Sequence, residues 1–289
     1  MLEIRNTAQA VFSPGSDSDY FDQLTLAAVP LQDTHLFDNR NAWWLAELSR
    51  IIYRRSVGED GVVLPDRGAL LANAGHAELL FASGPSTQAS IIQVGDFHVL
   101  AFRGTEELRD WMRNIDVRPD DAAGIGHAPK GFVGALNEVW PRIHAKLREI
   151  TGPIFYTGHS LGAALAVIAA AKIEADRRPR AVYTYGCPRC GDAAFSSHHP
   201  LRDRIHRVVN NRDVVPTVPP GYVHTGELHY ITSDHKLLSN PSPAVIDHDK
   251  HVDDNSHNFF KGDFVPELLT DHAPVNYVAW MQRFALGVS

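Results

Sequence analysis

The sequence predicts an α/β fold in which helices cover both faces of a mostly parallel central sheet. Three observations lead to this prediction. Short apolar stretches of strand composition alternate along the chain with stretches of helical periodicity. Near the middle, the apolar stretch 153–157 runs through a glycine-bounded turn directly into an alanine-rich helix. The chain has 289 residues, which is enough for one large domain with a buried core.

The individual elements follow from local patterns. Trp44, Leu45, Leu48 and Ile51 recur at helical spacing, and Gly95-Asp96 has the composition of a hairpin turn. The predicted elements are a helix at 42–54, strands at 77–82, 90–94 and 97–102, a helix at 108–115, a loop at 120–129, a helix at 131–150 that Pro141 is expected to bend, a strand at 153–157, a helix at 160–176, strands at 181–185 and 204–209, a mostly irregular stretch at 210–265 and a closing helix at 275–286. We expect residues 1–40 to form an irregular arm and residues 41–289 to form a single domain.

Charge and composition exclude several classes of function. The net charge is -7, which is unfavourable for binding nucleic acid or anionic membranes through a basic face. No apolar run approaches the length of a membrane span. The first residues lack the basic segment and apolar stretch of a signal peptide. We therefore expect a cytoplasmic protein, with secretion left open in case a leader precedes the sequence.

The motif Gly158-His159-Ser160-Leu161-Gly162 carries the strongest chemical signal. It matches G-x-S-x-G and lies between a predicted strand and a predicted helix, the setting that a nucleophile elbow needs. Side chains at 158 and 162 would clash in so tight a turn, and a helix N-terminus favours developing negative charge near Ser160. The alternative is a glycine-rich turn with Ser160 as a helix N-cap. The setting favours a nucleophile.

Several separated motifs together resemble the class 3, fungal-type lipases. They are Phe102-Arg103-Gly104-Thr105, Lys130-Gly131-Phe132, Gly158-His159-Ser160-Leu161-Gly162, Thr184-Tyr185-Gly186-Cys187-Pro188-Arg189, Asn211-Arg212-Asp213-Val214-Val215-Pro216, and Asp271-His272 followed by Tyr277. All occur in the family's order. The resemblance implies an α/β-hydrolase fold and a catalytic triad of Ser160, Asp213 and His272.

The residues themselves give partial support to this triad. A nucleophile followed by an acid and then a histidine is the chain order of an α/β-hydrolase, and Asp213 follows a predicted strand. Asp213 could equally be a turn former before Pro216. The base is the hardest assignment, because the chain has 16 histidines, of which His224 and His257 are the rivals to His272.

Acyl transfer also requires two donors for the tetrahedral oxyanion. We expect the backbone N–H groups of Leu161 and Thr105 to supply them, with help from the Thr105 hydroxyl. By the resemblance, the Asn114 side chain orients Thr105. This chemistry requires no metal and no organic cofactor.

Each of three further sequence segments has two interpretations. Leu108, Trp111, Met112 and Ile115 form an amphipathic pattern where the family carries its lid, although a fixed surface helix would look the same. Cys187-Pro188-Arg189-Cys190 is a C-x-x-C, for which two plain thiols are favoured over a redox pair or zinc ligands. The segment 248–257 is rich in histidine and aspartate but fits no metal motif, so we expect a solvated loop.

The leading prediction is a serine carboxylic-ester hydrolase, with triacylglycerol as the substrate and a transient lipid interface as a partner. A short-chain esterase, an aryl (feruloyl-type) esterase, a phospholipase A1 and an acyltransferase remain open, because one sequence does not reveal the acyl pocket. A non-catalytic lipid-binding module is the alternative of another class. The intact triad and oxyanion residues argue against it.

Overall fold

The computed structural model describes residues 1–4, 20–21, 31–54, 67–105, 114–256 and 270–288. Eight strands form one sheet, in the order β1-β2-β3-β6-β7-β8-β9-β10, and the other two described strands form a small hairpin. The strands are β1 (Ala77–Ser83), β2 (Gln88–Val94), β3 (Phe97–Phe102), β4 (Pro119–Asp121), β5 (His127–Pro129), β6 (Ile154–His159), β7 (Val182–Tyr185), β8 (Ile205–Asn210), β9 (Glu227–Ile231) and β10 (Leu237–Ser239). Pairing is parallel from β3 through β9 and antiparallel at both edges of the sheet.

Helices cover both faces of this sheet. They are α1 (Asn39–Ile51), α2 (Arg67–Asn73), α3 (Lys130–Leu147), α4 (Leu161–Lys172), α5 (Ala193–His198), α6 (Pro243–Ser256) and α7 (Pro274–Leu286). One apolar core joins α1 and α7 to one face, and a second joins α3 and α4 to the other. The structure therefore confirms the predicted mostly parallel sheet flanked by helices. Within the described ranges, no helix is long and apolar enough to cross a membrane.

The sequence predicted the positions of β1 to β3, β6 to β8, α1, α3, α4 and α7, but two predictions were wrong. The predicted loop 120–129 contains the hairpin of β4 and β5. These strands have three residues each, and their mostly polar composition gives no apolar alternation to recognise. The predicted irregular stretch 210–265 contains β9, β10 and α6, so the histidine- and aspartate-rich segment is largely helical rather than a loop.

Polar contacts hold helix α6 against β9 and the segments next to it. Asp249 accepts hydrogen bonds from Tyr230 Oη at 2.9 Å and from the Ser233 hydroxyl at 2.7 Å. The carbonyl of Lys250 accepts a hydrogen bond from the Arg212 guanidinium at 3.2 Å. Because apolar periodicity is the main sequence signal for a helix, such a helix is easily missed.

The described parts of residues 1–40 pack against the core. The side chains of Leu2, Phe21 and Leu31 are buried. The backbone N–H of Phe21 donates to Glu47 on α1 at 2.8 Å, and that of Leu2 donates to Gln282 on α7 at 2.7 Å. Residues 31–38 contain no helix or strand. These described parts of the predicted arm thus cover the face of the sheet that carries α1 and α7.

Buried His199 is bound in a way that requires a neutral ring. Its Nε2 faces the Val167 carbonyl at 3.0 Å and must donate, whereas its Nδ1 accepts the Leu201 backbone N–H at 3.1 Å. A proton on Nδ1 would point at that N–H group. Burial accordingly lowers the pKa of His199 to about 4.

We expect the free energy of unfolding to fall between pH 7 and pH 5, with His199 contributing about 2 kcal/mol of the loss. The unfolded chain takes up a proton near the ordinary histidine pKa of about 6.5. The folded chain does so only near pH 4. The unfolded state therefore binds more protons in this window, and stability falls as the pH falls. Urea denaturation at both pH values should show a weaker pH dependence for His199→Gln than for wild type. Exposed His198→Gln is the control, and equal pH dependence in all three proteins would contradict the assignment.

Candidate active site

Ser160 lies on a strained turn between β6 and α4. Its backbone has φ +58° and ψ -129°, a conformation that L-residues rarely adopt. A Cβ at Gly158 would lie 2.2 Å from the Gly162 carbonyl oxygen, and a Cβ at Gly162 would lie 2.3 Å from the Phe102 carbonyl oxygen. Only glycine fits at either position. The strand–turn–helix expected around Ser160 is therefore present, with both glycines required by close backbone contacts.

Asp213 and His272 form a buried hydrogen-bonded pair. His272 Nδ1 lies 2.8 Å from Asp213 Oδ2, and the two side chains are 4% and 0% exposed. Because Nδ1 faces a carboxylate, it carries the proton, and Nε2 of the neutral ring has a free lone pair. The other carboxylate oxygen, Oδ1, accepts the backbone N–H of Val215 at 2.9 Å. These bonds fix both the tautomer and the orientation of the imidazole.

Tyr277 provides a second donor to the same carboxylate. Its hydroxyl donates to Asp213 Oδ2 at 2.6 Å and accepts the backbone N–H of Asn210 at 3.1 Å. Burial and the neighbouring Asp213 charge raise the pKa of Tyr277 well above its ordinary value, so the phenol keeps its proton. Tyr277 thus connects the end of β8 to α7 and holds Asp213 between them.

The site contains two buried polar atoms without a hydrogen-bond partner among the described residues. They are Ser160 Oγ and His272 Nε2. Ser160 N–H donates to the Tyr185 carbonyl at 2.9 Å, and a Cβ on the next residue, Gly186, would lie 2.8 Å from His272 Nδ1. The hydroxyl and the imidazole therefore belong to one cluster. Unpaired buried polar groups are rare, and catalytic hydrogen bonds are often loose before substrate binds.

The loop that follows β3 packs against Ser160. A Cβ at Gly104 would lie 3.0 Å from Ser160 Cβ and 2.6 Å from the His159 carbonyl oxygen, so glycine is required for this close approach. Thr105, the next residue, is half-buried. Leu161 begins α4, where the first backbone N–H groups of a helix have no intrahelical acceptor. Thr105 and Leu161, the residues expected to donate to an oxyanion, thus directly follow Gly104 and Ser160, which pack against each other.

A chain of hydrogen bonds supports His272 from behind. His159 Nε2 donates to the His272 carbonyl at 2.7 Å, which leaves His159 Nδ1 to accept from Tyr53 Oη at 2.9 Å. Burial and the nearby His272 hold the pKa of His159 well below its ordinary value, so this ring stays neutral. Sequence reasoning gave neither residue a role. No local signal links Tyr53 at the end of α1 to the elbow.

The rival histidine His224 and the described residues of the predicted lid segment lie outside the Ser160–His272–Asp213 cluster. The rival His224 donates from Nε2 to the Pro216 carbonyl at 2.8 Å, and burial lowers its pKa to about 3, which fits a structural residue. Asn114 is exposed, and Ile115 is half-buried against the core that contains α3 and α4. The remaining lid residues Leu108, Trp111 and Met112 lie outside the described residues, as does the rival His257.

Cys187 and Cys190 are both free and buried. Burial raises the pKa of the Cys187 thiol well above its ordinary value. A protonated, buried thiol is a poor nucleophile and a poor metal ligand. The burial of both free cysteines therefore supports the interpretation of two plain thiols.

Comparison with known proteins points to one family. The family model described as Lipase (class 3) matches residues 99–223, from β3 through the elbow to the segment after Asp213. "Secreted mono- and diacylglycerol lipase A" of Penicillium cyclopium is 33% identical over 186 residues, which cover 60% of this chain and 59% of that protein. A lipase of Rhizomucor miehei is 30% identical over 155 residues, or 47% of this chain and 42% of that protein.

The matches thus span about 59% or less of the length of these two relatives. Similarity of structure extends further. A solved structure of a mutant form of MDLA from Penicillium cyclopium superposes with a TM-score of 0.63 at 22% identity, covering 81% of this chain and 95% of that chain. This likeness confirms the predicted α/β-hydrolase fold. The expected cytoplasmic location finds no support, because the Penicillium relative is named as a secreted protein.

Proposed function

We propose that this chain is a serine carboxylic-ester hydrolase of the class 3 lipase family that acts on acylglycerols, because residues 99–223 match the model of that family. Ser160 is the nucleophile, His272 the general base and Asp213 the residue that orients the base. The observation that carries the proposal is the buried Asp213–His272 hydrogen bond of 2.8 Å. It lies in one cluster with a serine held at positive φ on a strand–turn–helix elbow.

The reaction proceeds through an acyl-enzyme. His272 Nε2 takes the proton from Ser160 Oγ as that oxygen attacks the ester carbonyl. The tetrahedral intermediate collapses when His272 returns the proton to the departing alcohol, which breaks the ester bond. Water, deprotonated by the same nitrogen, then attacks the acyl-serine. His272 returns this proton to Ser160 Oγ as the bond between that oxygen and the acyl carbon breaks, which releases the fatty acid and restores the free serine. Asp213 and Tyr277 keep the imidazole oriented throughout. These steps need only side chains and water.

The oxyanion of each tetrahedral intermediate is bound by the backbone N–H groups of Leu161 and Thr105, in this proposal, with the Thr105 hydroxyl as a further donor. Asn114 orients Thr105. The close approach of Gly104 to Ser160 Cβ supports this assignment, because it brings the loop after β3 to the nucleophile.

We expect Thr105→Val to lower kcat by about 10- to 100-fold while leaving the melting temperature within about 2 °C of wild type. The change removes a hydroxyl and keeps the backbone N–H and the side-chain volume. Thr105→Ser, which retains the hydroxyl, is the matched control and should stay within a few-fold of wild type. Steady-state hydrolysis of a soluble ester measures both. A normal rate in Thr105→Val would show that the hydroxyl plays no part.

A methyl group at Gly186 should uncouple His272 from Asp213. Its Cβ would lie 2.6 Å from Asp213 Oδ2 and 2.8 Å from His272 Nδ1. We therefore expect Gly186→Ala to lower kcat by at least about 100-fold. Gly95→Ala is a matched control, because Gly95 has the same φ of +59° and a Cβ there meets nothing within 4 Å. Both variants carry the same backbone strain of about 1–2 kcal/mol. Equal activity in the two would contradict the proposed role of the pair.

Acylglycerols are the proposed substrate class because the Penicillium relative is named as a lipase of mono- and diacylglycerols and the Rhizomucor relative as a lipase. We propose that the enzyme works at a transient lipid interface. Leu108, Trp111, Met112 and Ile115 would form the lid that opens there. We also propose that the substrate lipid lies outside the cytoplasm, following the printed name of the Penicillium relative.

The test is hydrolysis of a p-nitrophenyl ester chain-length series, followed by emulsified mono-, di- and triacylglycerol. A class 3 lipase should prefer long acyl chains, and its rate should rise when the substrate exceeds its solubility. A preference for short chains would identify an esterase instead. Failure to hydrolyse any ester and to react with a fluorophosphonate probe would leave the non-catalytic lipid-binding alternative.

A further inference from the structure

A cluster of side chains that could bind a metal ion lies at the end of the sheet opposite the candidate active site. His206 is near the start of β8, and Glu227 and His229 are on β9. The parallel register pairs His206 with Glu227 and Val208 with His229, which puts the three side chains on one face. From His206 to the end of β8 the strand rises about 13 Å, and Asp213 lies beyond that end. The cluster is therefore remote from Ser160.

The three side chains point ligand atoms at one another. His206 Nδ1 is 3.3 Å from His229 Nε2, and Glu227 Oε2 is 3.6 Å from each of these nitrogens. A point equidistant from the three atoms lies about 2.0 Å from each. That is the length of Zn–N and Zn–O bonds, about 2.0–2.2 Å. The triangle has the size that three ligands of one zinc ion require.

Each of the three groups is also oriented by a second hydrogen bond. His206 Nε2 donates to the His35 carbonyl at 2.9 Å, which leaves Nδ1 as a lone-pair donor. His229 Nδ1 lies 3.3 Å from the Ser239 hydroxyl, which can accept a hydrogen bond from Nδ1–H. In that tautomer His229 Nε2 keeps its lone pair for a metal ion. Asn240 Nδ2 donates to the other Glu227 oxygen at 3.1 Å. Such outer partners, which fix the tautomer and orientation of a ligand, are typical of protein metal sites.

The surroundings enclose both rings. The side chains of His206 and His229 are 2% and 1% exposed. Phe37 stacks on the His229 ring at a centroid distance of 3.7 Å, while the Glu227 side chain is 37% exposed. An ion would enter from the side of Glu227, where water can complete its coordination.

We propose that His206, Glu227 and His229 bind one divalent transition-metal ion of the Zn²⁺ class. Two imidazoles and one carboxylate, with a fourth position open to water, form a donor set that suits this ion. The ion would join β8 and β9 and, through the His35 carbonyl, residues 31–38. At that distance from Ser160 it takes no part in ester cleavage. Its role is to stabilise the pairing of β8 with β9 at the end of these strands away from Asp213.

The test uses the whole 289-residue chain, stripped of metal with a chelator and then given one equivalent of Zn²⁺. Bound zinc is measured by mass spectrometry after gel filtration, and affinity by calorimetry. We expect one ion per chain in wild type and at least about 10-fold weaker binding in Glu227→Gln. The control is Glu174→Gln, since Glu174 forms an exposed pair with His144 at 2.8 Å. It should bind zinc as wild type does.

Two further readouts do not depend on ester hydrolysis. Co²⁺ in place of Zn²⁺ should give the intense visible absorption of a four-coordinate site, and this absorption should be lost in Glu227→Gln. Zinc at 100-fold above Kd should raise the melting temperature of wild type by about 4 °C.

Ser239→Ala removes only the partner of His229 Nδ1, so it tests the site in case Glu227→Gln does not fold. It should also bind more weakly. Absence of bound zinc in wild type, or equal binding by wild type, Glu227→Gln and Ser239→Ala, would overturn the proposal.

Discussion

Ser160→Ala is expected to lower kcat for ester hydrolysis by at least about 10⁴-fold. Without the hydroxyl no acyl-enzyme forms, and His272 and the oxyanion donors retain only weak direct hydrolysis. The measurement is steady-state hydrolysis of the best p-nitrophenyl ester. Labelling by a fluorophosphonate probe, which reacts with an activated serine, should disappear in parallel.

The same substitution should leave the fold intact. Ser160 Oγ is buried and has no hydrogen-bond partner among the described residues, so its removal breaks no described hydrogen bond. Alanine keeps the backbone strain at φ +58° unchanged and relieves the burial of an unpaired hydroxyl. We expect a melting temperature equal to or slightly above that of wild type. Ser197→Ala, on the exposed face of α5, is the control and should be fully active. A Ser160→Ala enzyme with more than about 1% of wild-type activity would exclude Ser160 as the nucleophile.

The sequence predicted the parts of the fold that carry an apolar period. The strand before Ser160, the helix after it and α7 are buried along most of their length, and apolar residues identify such elements directly. The hairpin of β4 and β5 and the helix α6 were missed for the opposite reason. They are polar, and contacts such as those of Asp249 with Tyr230 and Ser233 become visible only when the chain is folded.

The candidate sites divide in the same way. Ser160 could be predicted because the elbow requires glycines at fixed positions in the sequence. Asp213 and His272 needed the family resemblance, since their 2.8 Å contact joins distant parts of the chain. Tyr53 and His159 could not be found, because their hydrogen bond spans 106 positions and neither belongs to a local pattern with that meaning.

The proposed metal ligands show a related limit. Residues 248–257 bring the side chains of metal ligands together in one short segment, although their spacing fits no metal motif. The cluster that meets the distance requirements instead combines His206 with Glu227 and His229, which come together only through the pairing of β8 with β9. Sequence spacing is informative for ligands on one element. It says little about ligands that two strands bring together.

Asp213→Asn is expected to lower kcat by about 10³- to 10⁴-fold, although the side chain keeps its size and is almost fully buried. The Asn oxygen will take the position of Oδ1, where it accepts the Val215 N–H as the carboxylate does now. The amide NH₂ then replaces Oδ2 and points at His272 Nδ1 and at the Tyr277 hydroxyl, both of which donate in wild type. To avoid facing two donors, His272 must shift its proton from Nδ1 to Nε2. In that tautomer Nε2 has no lone pair and cannot accept the proton of Ser160.

Tyr277→Phe is the control for Asp213→Asn. It distinguishes the effect of the Asp213 carboxylate on the His272 tautomer from the effect of weaker attachment of the segment that carries Asp213. It removes the bond of 2.6 Å to Asp213 Oδ2 but keeps the carboxylate opposite His272. We expect a loss of about 10-fold or less, with the Nδ1 proton still in place. Nitrogen NMR of the His272 ring would report the tautomer directly: Nδ1-protonated in wild type and Tyr277→Phe, Nε2-protonated in Asp213→Asn. The proposal would be contradicted by a kcat of Asp213→Asn equal to or higher than that of Tyr277→Phe. Any hydrogen bond that orients the His272 ring would then be sufficient, and the carboxylate would have no separate role in selecting the reactive tautomer.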